Sequence, residues 1–464
     1  MLDRQATDGA GAGGPFSPAL RLLTIGLLLN VIGYAFEALA VSAVMPAITD
    51  DLGRADLYGW VFSAYLLANL VGIVVAGLHA DQHGPSRPFI WGVIIFSAGL
   101  VLGGLAPSMP ALVAARALQG FGGGALGSIA YVAVSRVYPE AVRGRMLALL
   151  STGWVVPGLV GPAVAGLMAE TIGWRWVFLA LAPVPLIALV LATQQLRRVP
   201  GGNAPVDARQ RVLIAIALAA GSGLVLAALA QQDPVRALLL GVPGLAIGVP
   251  SLRRLMPPGV LRAAPGLPAV IATLTLLNVA LVGVDAFIPL ALVDVRGLSL
   301  IVASLTLTAI SITWTMGSWL QARLSPSGRR RPLVLSGLAV VTGGVLLMTA
   351  LLYPRLDAHL APLFWGVAGL GIGLAFSTLT LTGLETAEPG QEGEASASLN
   401  LGNQLGSGIG AGVGGAFLTV IGHEGEALRR ALTVQFLCMA LVLALAMLTA
   451  LGVPRWRRSA PAGH

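Results

Sequence analysis

The sequence predicts an all-α polytopic membrane protein of fourteen spans, and three observations carry that prediction. Of the 464 residues, 56% are hydrophobic and only 10% charged, against about 25% charged in soluble domains. Apolar runs recur along the whole chain, and about 20 helical residues suffice to cross ~30 Å of hydrocarbon. The alternating short strands of a barrel are absent, so helices must pair the backbone groups that lipid cannot solvate.

The spans are expected at roughly 20–47, 57–79, 88–107, 110–135, 144–169, 174–195, 212–231, 235–251, 267–293, 299–323, 332–353, 359–384, 395–421 and 429–452. The run 235–251 is short and holds Pro243 and Pro250; without the pair at 212–251 the count is twelve. No small-residue cleavage site follows the first run, so it is expected to be a retained helix.

All 28 basic residues are arginines. With the N-terminus inside, 20 fall in inner loops and tails, seven in outer loops, and Arg116 inside a span. That asymmetry predicts cytoplasmic termini, although the inner loop 385–394 carries four Glu and no Arg. The net charge of +8 thus reads as a topology signal and not as a nucleic-acid footprint. The absence of Lys fits a GC-rich bacterial genome. A single cysteine, Cys438, excludes an intramolecular disulfide.

The chain also repeats itself. Asn30 and Glu37, seven apart in the first span, are matched by Asn278 and Asp285 in the ninth. Gly84, Arg87 and Pro88 after the second span are matched by Gly328, Arg331 and Pro332 after the tenth. Nearly equal offsets predict two pseudo-symmetric six-helix bundles, 20–195 and 267–452. A linker at 196–266 adds two extra spans, and short cytoplasmic tails, 1–19 and 453–464, close the ends. Parallel halves with a site between them near the midplane are a transporter design.

The loop after the second span reads Gly77-Leu-His79-Ala80-Asp81-Gln-His-Gly84-Pro85-Ser86-Arg87-Pro88. Asp81 is placed to meet a helix N-terminus or an arginine; an ordinary polar loop is the alternative. Together with Trp60 and Tyr65-Leu66-Leu67-Ala68 this segment resembles the major facilitator superfamily, specifically its 14-span drug:proton antiporter branch. Gly77, Ala80, Asp81 and Gly84 match that family's loop pattern. His79 replaces its Leu, Pro85-Ser86 replace its basic pair, and Arg87 comes one place late. The resemblance implies a cytoplasmic gate of Gly77, Asp81, Gly84 and Arg87 with Arg143 and Arg145, Glu140 being the expected partner of Arg87.

In the fourth span, Arg116-Ala-Leu-Gln119-Gly120-Phe-Gly122 is similar to a second motif of the family. A mid-membrane Arg costs roughly 2.5–3.5 kcal/mol on insertion scales, so it needs a partner; a structural ion pair is the alternative to a working one. Gly158, Gly161, Pro162 and Gly166 in the fifth span resemble the motif that marks antiporters, and serve equally for close helix packing. In the thirteenth span, Gly402, Gly406, Gly410 and Gly414 recur every four residues, a packing face, while Asn400, Asn403 and Gln404 form a polar edge.

Glu37 and Asp285 are the acids deepest in the predicted membrane, and an intramembrane acid is a functional candidate. Burial penalises an ionised Glu37 while Arg116 favours it, opposed influences that suit a group exchanging a proton. Glu37, Arg116 and Asp285 are the proton-coupling candidates. Asn30, Tyr34, Trp60, Tyr65, Gln119, Asn278, Trp314, Asn400, Asn403 and Gln404 are the substrate-binding candidates. Their aromatic and amide chemistry suits amphipathic or cationic drug-like molecules.

No His-Glu-x-x-His, Gly-x-Ser-x-Gly or Walker loop occurs, so an enzyme, a metal site and a nucleotide motor are not expected. Two Gly-x-Gly-x-x-Gly strings, at Gly9 and Gly122, follow no strand and are discounted. A channel would need a ring of like groups rather than one acid per half. The reading is therefore a monomeric, proton-coupled exporter in the cell membrane, with no cofactor beyond the proton gradient. A dedicated exporter of a lipid or natural product, or an uncoupled facilitator, stays open.

Overall fold

A computed structural model of the protein describes residues 14–201, 208–324, 329–386 and 392–455, without the side chains of 140, 141, 144, 148, 151 and 392–394. The helices are α1 (Arg21–Leu52), α2 (Tyr58–His83), α3 (Ser86–Gly104), α4 (Met109–Val137), α5 (Glu140–Thr152), α6 (Val155–Thr171), α7 (Arg175–Leu179), α8 (Pro183–Leu196), α9 (Ala208–Leu229) and α10 (Pro234–Leu255). The second part of the chain holds α11 (Leu267–Asp285), α12 (Ile288–Leu290), α13 (Leu300–Leu324), α14 (Arg330–Leu351), α15 (Ala361–Glu385), α16 (Glu392–Ile421) and α17 (Gly425–Ala450).

Among the described residues, 13 helical stretches are long and apolar enough to cross a membrane. The expected span 144–169 is instead divided: Gly153 and Trp154 separate α5 from α6, leaving α6 as a 17-residue apolar helix. The expected short run 235–251 is longer than the sequence suggested. Its helix α10 has 22 residues and passes through Pro243 and Pro250. Asp233 accepts from the Val235 N–H at its start, Pro234 occupies the first turn, and Arg253 and Arg254 sit at the negative end of its dipole.

The six spans of each bundle pack in the same pattern. In the first, α1 packs on α6 and α8, α2 on α4, and α3 on α4 and α8. In the second, α11 packs on α16 and α17, α13 on α15, and α14 on α15 and α17. The bundles meet along two seams, α2 against α16 and α6 against α13. The added helix α9 lies on the first seam, touching both α2 and α16, and carries α10 on its outside. Leu67 and Leu70 of α2, Ala215, Leu218 and Leu226 of α9, and Leu405 of α16 form a separate apolar cluster there.

The face carrying the start of α1 and the end of α17 is called the near face, and its opposite the far face. Hydrogen bonds between the bundles lie from mid-depth to the far face among the described residues. Ser42 donates to the Asp285 carbonyl (3.5 Å), Tyr58 to that of Ala286 (2.9 Å), Ser63 to that of Gly408 (2.9 Å) and Thr419 to that of Asp56 (3.2 Å). On the second seam the Ile301 N–H donates to Glu170 at 3.3 Å. Closure at this face depends on Gly59, where a Cβ would stand 2.6 Å from the Ala411 carbonyl and 2.7 Å from the Gly415 Cα.

Candidate functional site

Helical periodicity brings three faces together at mid-depth. Asn30, Tyr34 and Glu37 share one face of α1, Tyr65 and Asn69 one face of α2, and Arg116, Gln119 and Gly123 one face of α4. Arg116 Nη1 donates to Glu37 Oε1 and to Gln119 Oε1 (2.7 Å), while its Nε donates to the Val61 carbonyl (3.2 Å). The guanidinium lies 4.2 Å over the Tyr65 ring, a cation–π contact that desolvation strengthens. Glu37 is 1% and Arg116 2% exposed, so the pair is shielded from bulk screening.

The polar groups around this pair are only partly used. Asn30 Oδ1, Glu37 Oε2, Tyr65 OH, Gln119 Nε2 and both amide atoms of Asn69 are buried without a hydrogen-bond partner among the described residues. Unmade hydrogen bonds in such a setting cost about 1–3 kcal/mol each, so the cluster has the capacity to take up water, a proton or a ligand head group. A Cβ on Gly123 would stand 3.0 Å from the Tyr65 hydroxyl, 3.2 Å from the Tyr34 ring and 3.4 Å from Asn69 Nδ2; the glycine keeps this space open.

Asn69 was not among the sequence candidates. Its signal was available: a buried amide one turn after Tyr65 on the same helical face. Trp154 was missed too. It lies in the α5–α6 break, stacks edge-on against Tyr34 with centroids 5.6 Å apart, and is 43% exposed.

The second bundle contributes less polarity. Gln404 is half-buried. Asn403 is half-buried and Asn400 exposed. Asn278 spends its amide on the Leu274 carbonyl of its own helix, 2.8 Å away. Trp314 stacks edge-on against Phe376 at 5.4 Å. Asp285 stands at the end of α11, where the chain turns at Ala286–Phe287. Its Oδ1 accepts from the buried Trp365 indole at 2.8 Å, and no ion pair reaches it among the described residues.

Trp60 lies on another face of α2. It packs with Leu67 and Val74 in the cluster against α9, and its ring reaches Gly223. The physical reason is periodicity: Trp60, Leu67 and Val74 follow a heptad spacing on the face opposite Tyr65 and Asn69, and the added helix covers that face.

In the loop motif at the near face Asp81 meets an arginine of α4. Asp81 pairs with Arg136 at 2.5 Å, and Arg136 also donates to the Ala80 carbonyl at 3.2 Å. Arg87 is exposed, and the side chain of Glu140, its expected partner, lies outside the described residues, as does Gly328 of the repeat. Arg143 donates to the Tyr138 carbonyl (3.0 Å) and Arg145 is exposed. Gly77 packs near Ser128. Gly84 has φ +82°, and a Cβ there would stand 2.5 Å from the Val199 carbonyl, so glycine is required on both counts.

The glycine motif of α6 faces the α6–α13 seam and α1. Gly158 meets Ser311 and Gly166 meets Ser304, both on α13, while Gly161 meets Phe36 of α1 and Pro162 lies within the helix. Gly402, Gly406 and Gly410 pack on Thr275 and Val279 of α11, and Gly414 on Phe287 and Gln435. These glycines let backbones approach closely.

The profile of the Major Facilitator Superfamily matches residues 23–411. The chain belongs to that superfamily. Its members are transporters and not enzymes, and this multi-pass major facilitator has the two-bundle architecture of the class, with two extra helices. A probable multidrug-efflux transporter of Mycobacterium tuberculosis is 27% identical over 425 residues, covering 88% of this chain and 89% of the relative. The multidrug transporter protein MdtP of Bacillus subtilis is 27% identical over 401 residues, covering 83% and 73%. Among solved structures, a bacterial homologue of the human lysosomal transporter Spinster, inward-facing and unoccupied, superposes with TM-score 0.69 at 17% identity over 96% of this chain and all of that one. At that identity it is the fold that is shared.

Proposed function

We propose that this major facilitator exports amphipathic, drug-like small molecules across the bacterial cell membrane by alternating access, in exchange for protons, with Glu37 as the proton carrier. The observation that carries the reading is the buried Glu37–Arg116 pair, one carboxylate oxygen of which is unpartnered and surrounded by unfilled hydrogen-bonding groups. Relatives named as multidrug transporters support the substrate class.

In this reading the near face is cytoplasmic, in keeping with the arginine asymmetry. Residues 20–195 and 267–452 are the moving bodies, and the far-face contacts close the outside. Ionised Glu37 holds Arg116. A proton arriving from outside neutralises the carboxyl and frees the guanidinium; in the cytoplasmic state an amphipathic or cationic substrate competes with that proton for the same acid. Two ligands that each bias one acid exchange by linkage. The gradient needs no cofactor: a charge crossing 100 mV supplies about 2.3 kcal/mol and each pH unit about 1.4 kcal/mol per proton. The protein works as a monomer and confers resistance to the antibiotics it exports.

The test is transport in proteoliposomes under an imposed pH gradient. Wild type drives substrate uphill and releases protons when substrate binds; Glu37→Gln does neither. If the variant still pumps, the carrier is not Glu37 and Asp285 is examined next. If neither substitution uncouples transport, the protein is a facilitator.

A further inference from the structure

Five buried amide side chains among the described residues leave an atom unpartnered: Asn30, Asn69, Gln119, Gln321 and Gln435. Four of them leave one atom, and Asn69 alone leaves both. Turning the Asn69 amide over exchanges its oxygen and nitrogen and leaves the same donor and acceptor unused. The residue is 1% exposed, so bulk solvent supplies neither bond. Its place is fixed by α4. Gly124 packs on the Asn69 backbone carbonyl, where a Cβ would stand 2.1 Å away, and a Cβ on Gly123 would stand 3.4 Å from Asn69 Nδ2, beside the Tyr65 hydroxyl and the Tyr34 ring. The side chain therefore points into the central cluster. It lies one turn past Tyr65, about 6 Å along α2 toward the near face, beside the Glu37–Arg116 pair and not within it. Gly127 follows Gly123 by one turn on the same side of α4. It is exposed, with nothing within 4 Å of where its Cβ would stand, so these glycines leave room on the near-face side of Asn69.

We propose that Asn69 is a specificity residue that reads a planar amide edge on the substrate, the adjacent N–H and C=O of a primary carboxamide or a lactam. This rests on the export reading above and narrows its substrate class. A side-chain amide presents a donor and an acceptor side by side, and a cis-amide edge is its complement. The substrate N–H donates to Asn69 Oδ1 while Asn69 Nδ2 donates to the substrate carbonyl. An N,N-dialkyl amide only accepts and a quaternary cation does neither, so with such ligands part of Asn69 stays buried and unpaired. Sites that hydrogen-bond a ligand group discriminate strongly for this reason, because the penalty falls on the ligand that lacks it. Tyr34 and Tyr65, with ring centroids 6.4 Å apart, stand beside the edge. A basic centre on the same molecule, one turn away, reaches the free Oε2 of Glu37. Holding the amide unpaired in the ligand-free protein lowers its stability, a loss that function at this position accounts for.

The test uses the full chain purified in detergent and two matched probes: an aminoalkyl naphthalene bearing a primary carboxamide, and the same molecule as its N,N-dimethylamide. Binding is measured by calorimetry. Wild type should bind the carboxamide at least about ten-fold more tightly than the dimethylamide, about 1.4 kcal/mol. Asn69→Leu keeps the size of the side chain and removes its polar atoms. It should bring the two affinities within about two-fold by weakening the carboxamide alone, and should raise the melting temperature of the ligand-free protein by about 2 °C or more. Asn69→Ala, with no branched chain to accommodate, should give the same ratio. A wild-type ratio short of ten-fold, a ratio unchanged in both variants, or equal weakening of the two probes overturns the proposal. So do melting temperatures lowered in both variants, the mark of a purely structural amide, and wild type that binds neither probe. Failure of wild type to pump under a pH gradient would strike the export reading alone, because the affinity ratio is read without transport.

Discussion

Removing Arg116 should cost far more than removing the ion pair as a whole. In Arg116→Met the Glu37 carboxylate keeps its 1% exposure but loses its cation. Breaking one side of a buried pair typically costs about 3–5 kcal/mol, whereas replacing both partners with neutral groups of similar size is often close to neutral. Arg116 also donates to Gln119 and Val61, each worth about 1 kcal/mol net, and Met restores neither. The single variant should therefore lose about 5–7 kcal/mol, and Glu37→Gln, which leaves the guanidinium without its counter-charge, about 3–5 kcal/mol. The double variant Glu37→Gln/Arg116→Met should regain at least about 2 kcal/mol over Arg116→Met. The assay is a double-mutant cycle on thermal unfolding in a single detergent at fixed pH. Strictly additive losses would refute the reasoning, since they would mean that Glu37 and Arg116 do not feel one another in the folded protein.

Three further outcomes follow from the geometry. Gly59→Leu forces a side chain into the Ala411–Gly415 contact and should shift the population toward a state with the far face open. Spin-label distances between the outer ends of α2 and α16 read that shift, and an unchanged distribution counts against far-face closure. Trp60→Ala should leave substrate affinity within about two-fold while loosening α9, whereas Tyr65→Ala should weaken binding about ten-fold, about 1.4 kcal/mol; binding measured by fluorescence quenching reverses the site assignment if the order is inverted. Gly84→Ala should destabilise by roughly 1–3 kcal/mol, from positive φ and the Val199 contact together, seen as a lower melting temperature; an unchanged value would show that the 199–201 segment yields freely.

What the sequence determined by itself is what composition and period can express. Spans follow from apolar length, because lipid leaves a backbone no partner but itself, and so fourteen runs were legible before any contact was known. The twofold architecture was legible in the equal spacing of Asn30 and Glu37 and of Asn278 and Asp285. Glu37 and Arg116 were identifiable as a pair in need of each other, because a lone charge in that setting is too costly to keep.

Tertiary structure decided everything that depends on which helix lies beside which. The partner of Asp81 is Arg136, from a different helix and 55 positions away, a distance in sequence that no local pattern encodes. Trp60 carries the chemistry of a binding residue, yet α9 covers it, and a helix added outside the repeat has no counterpart from which its position could be inferred. Asn69 reads as one polar residue in an apolar run until three helical faces converge and leave its amide unpaired. The same holds for Trp154: the sequence shows an aromatic residue after a glycine, and only the packed bundle brings its ring edge-on to Tyr34 of the central cluster. Hydrophobicity sets how each segment meets the bilayer, but the facing of one helix to another is set by side-chain fit across sequence distances that the linear pattern does not record.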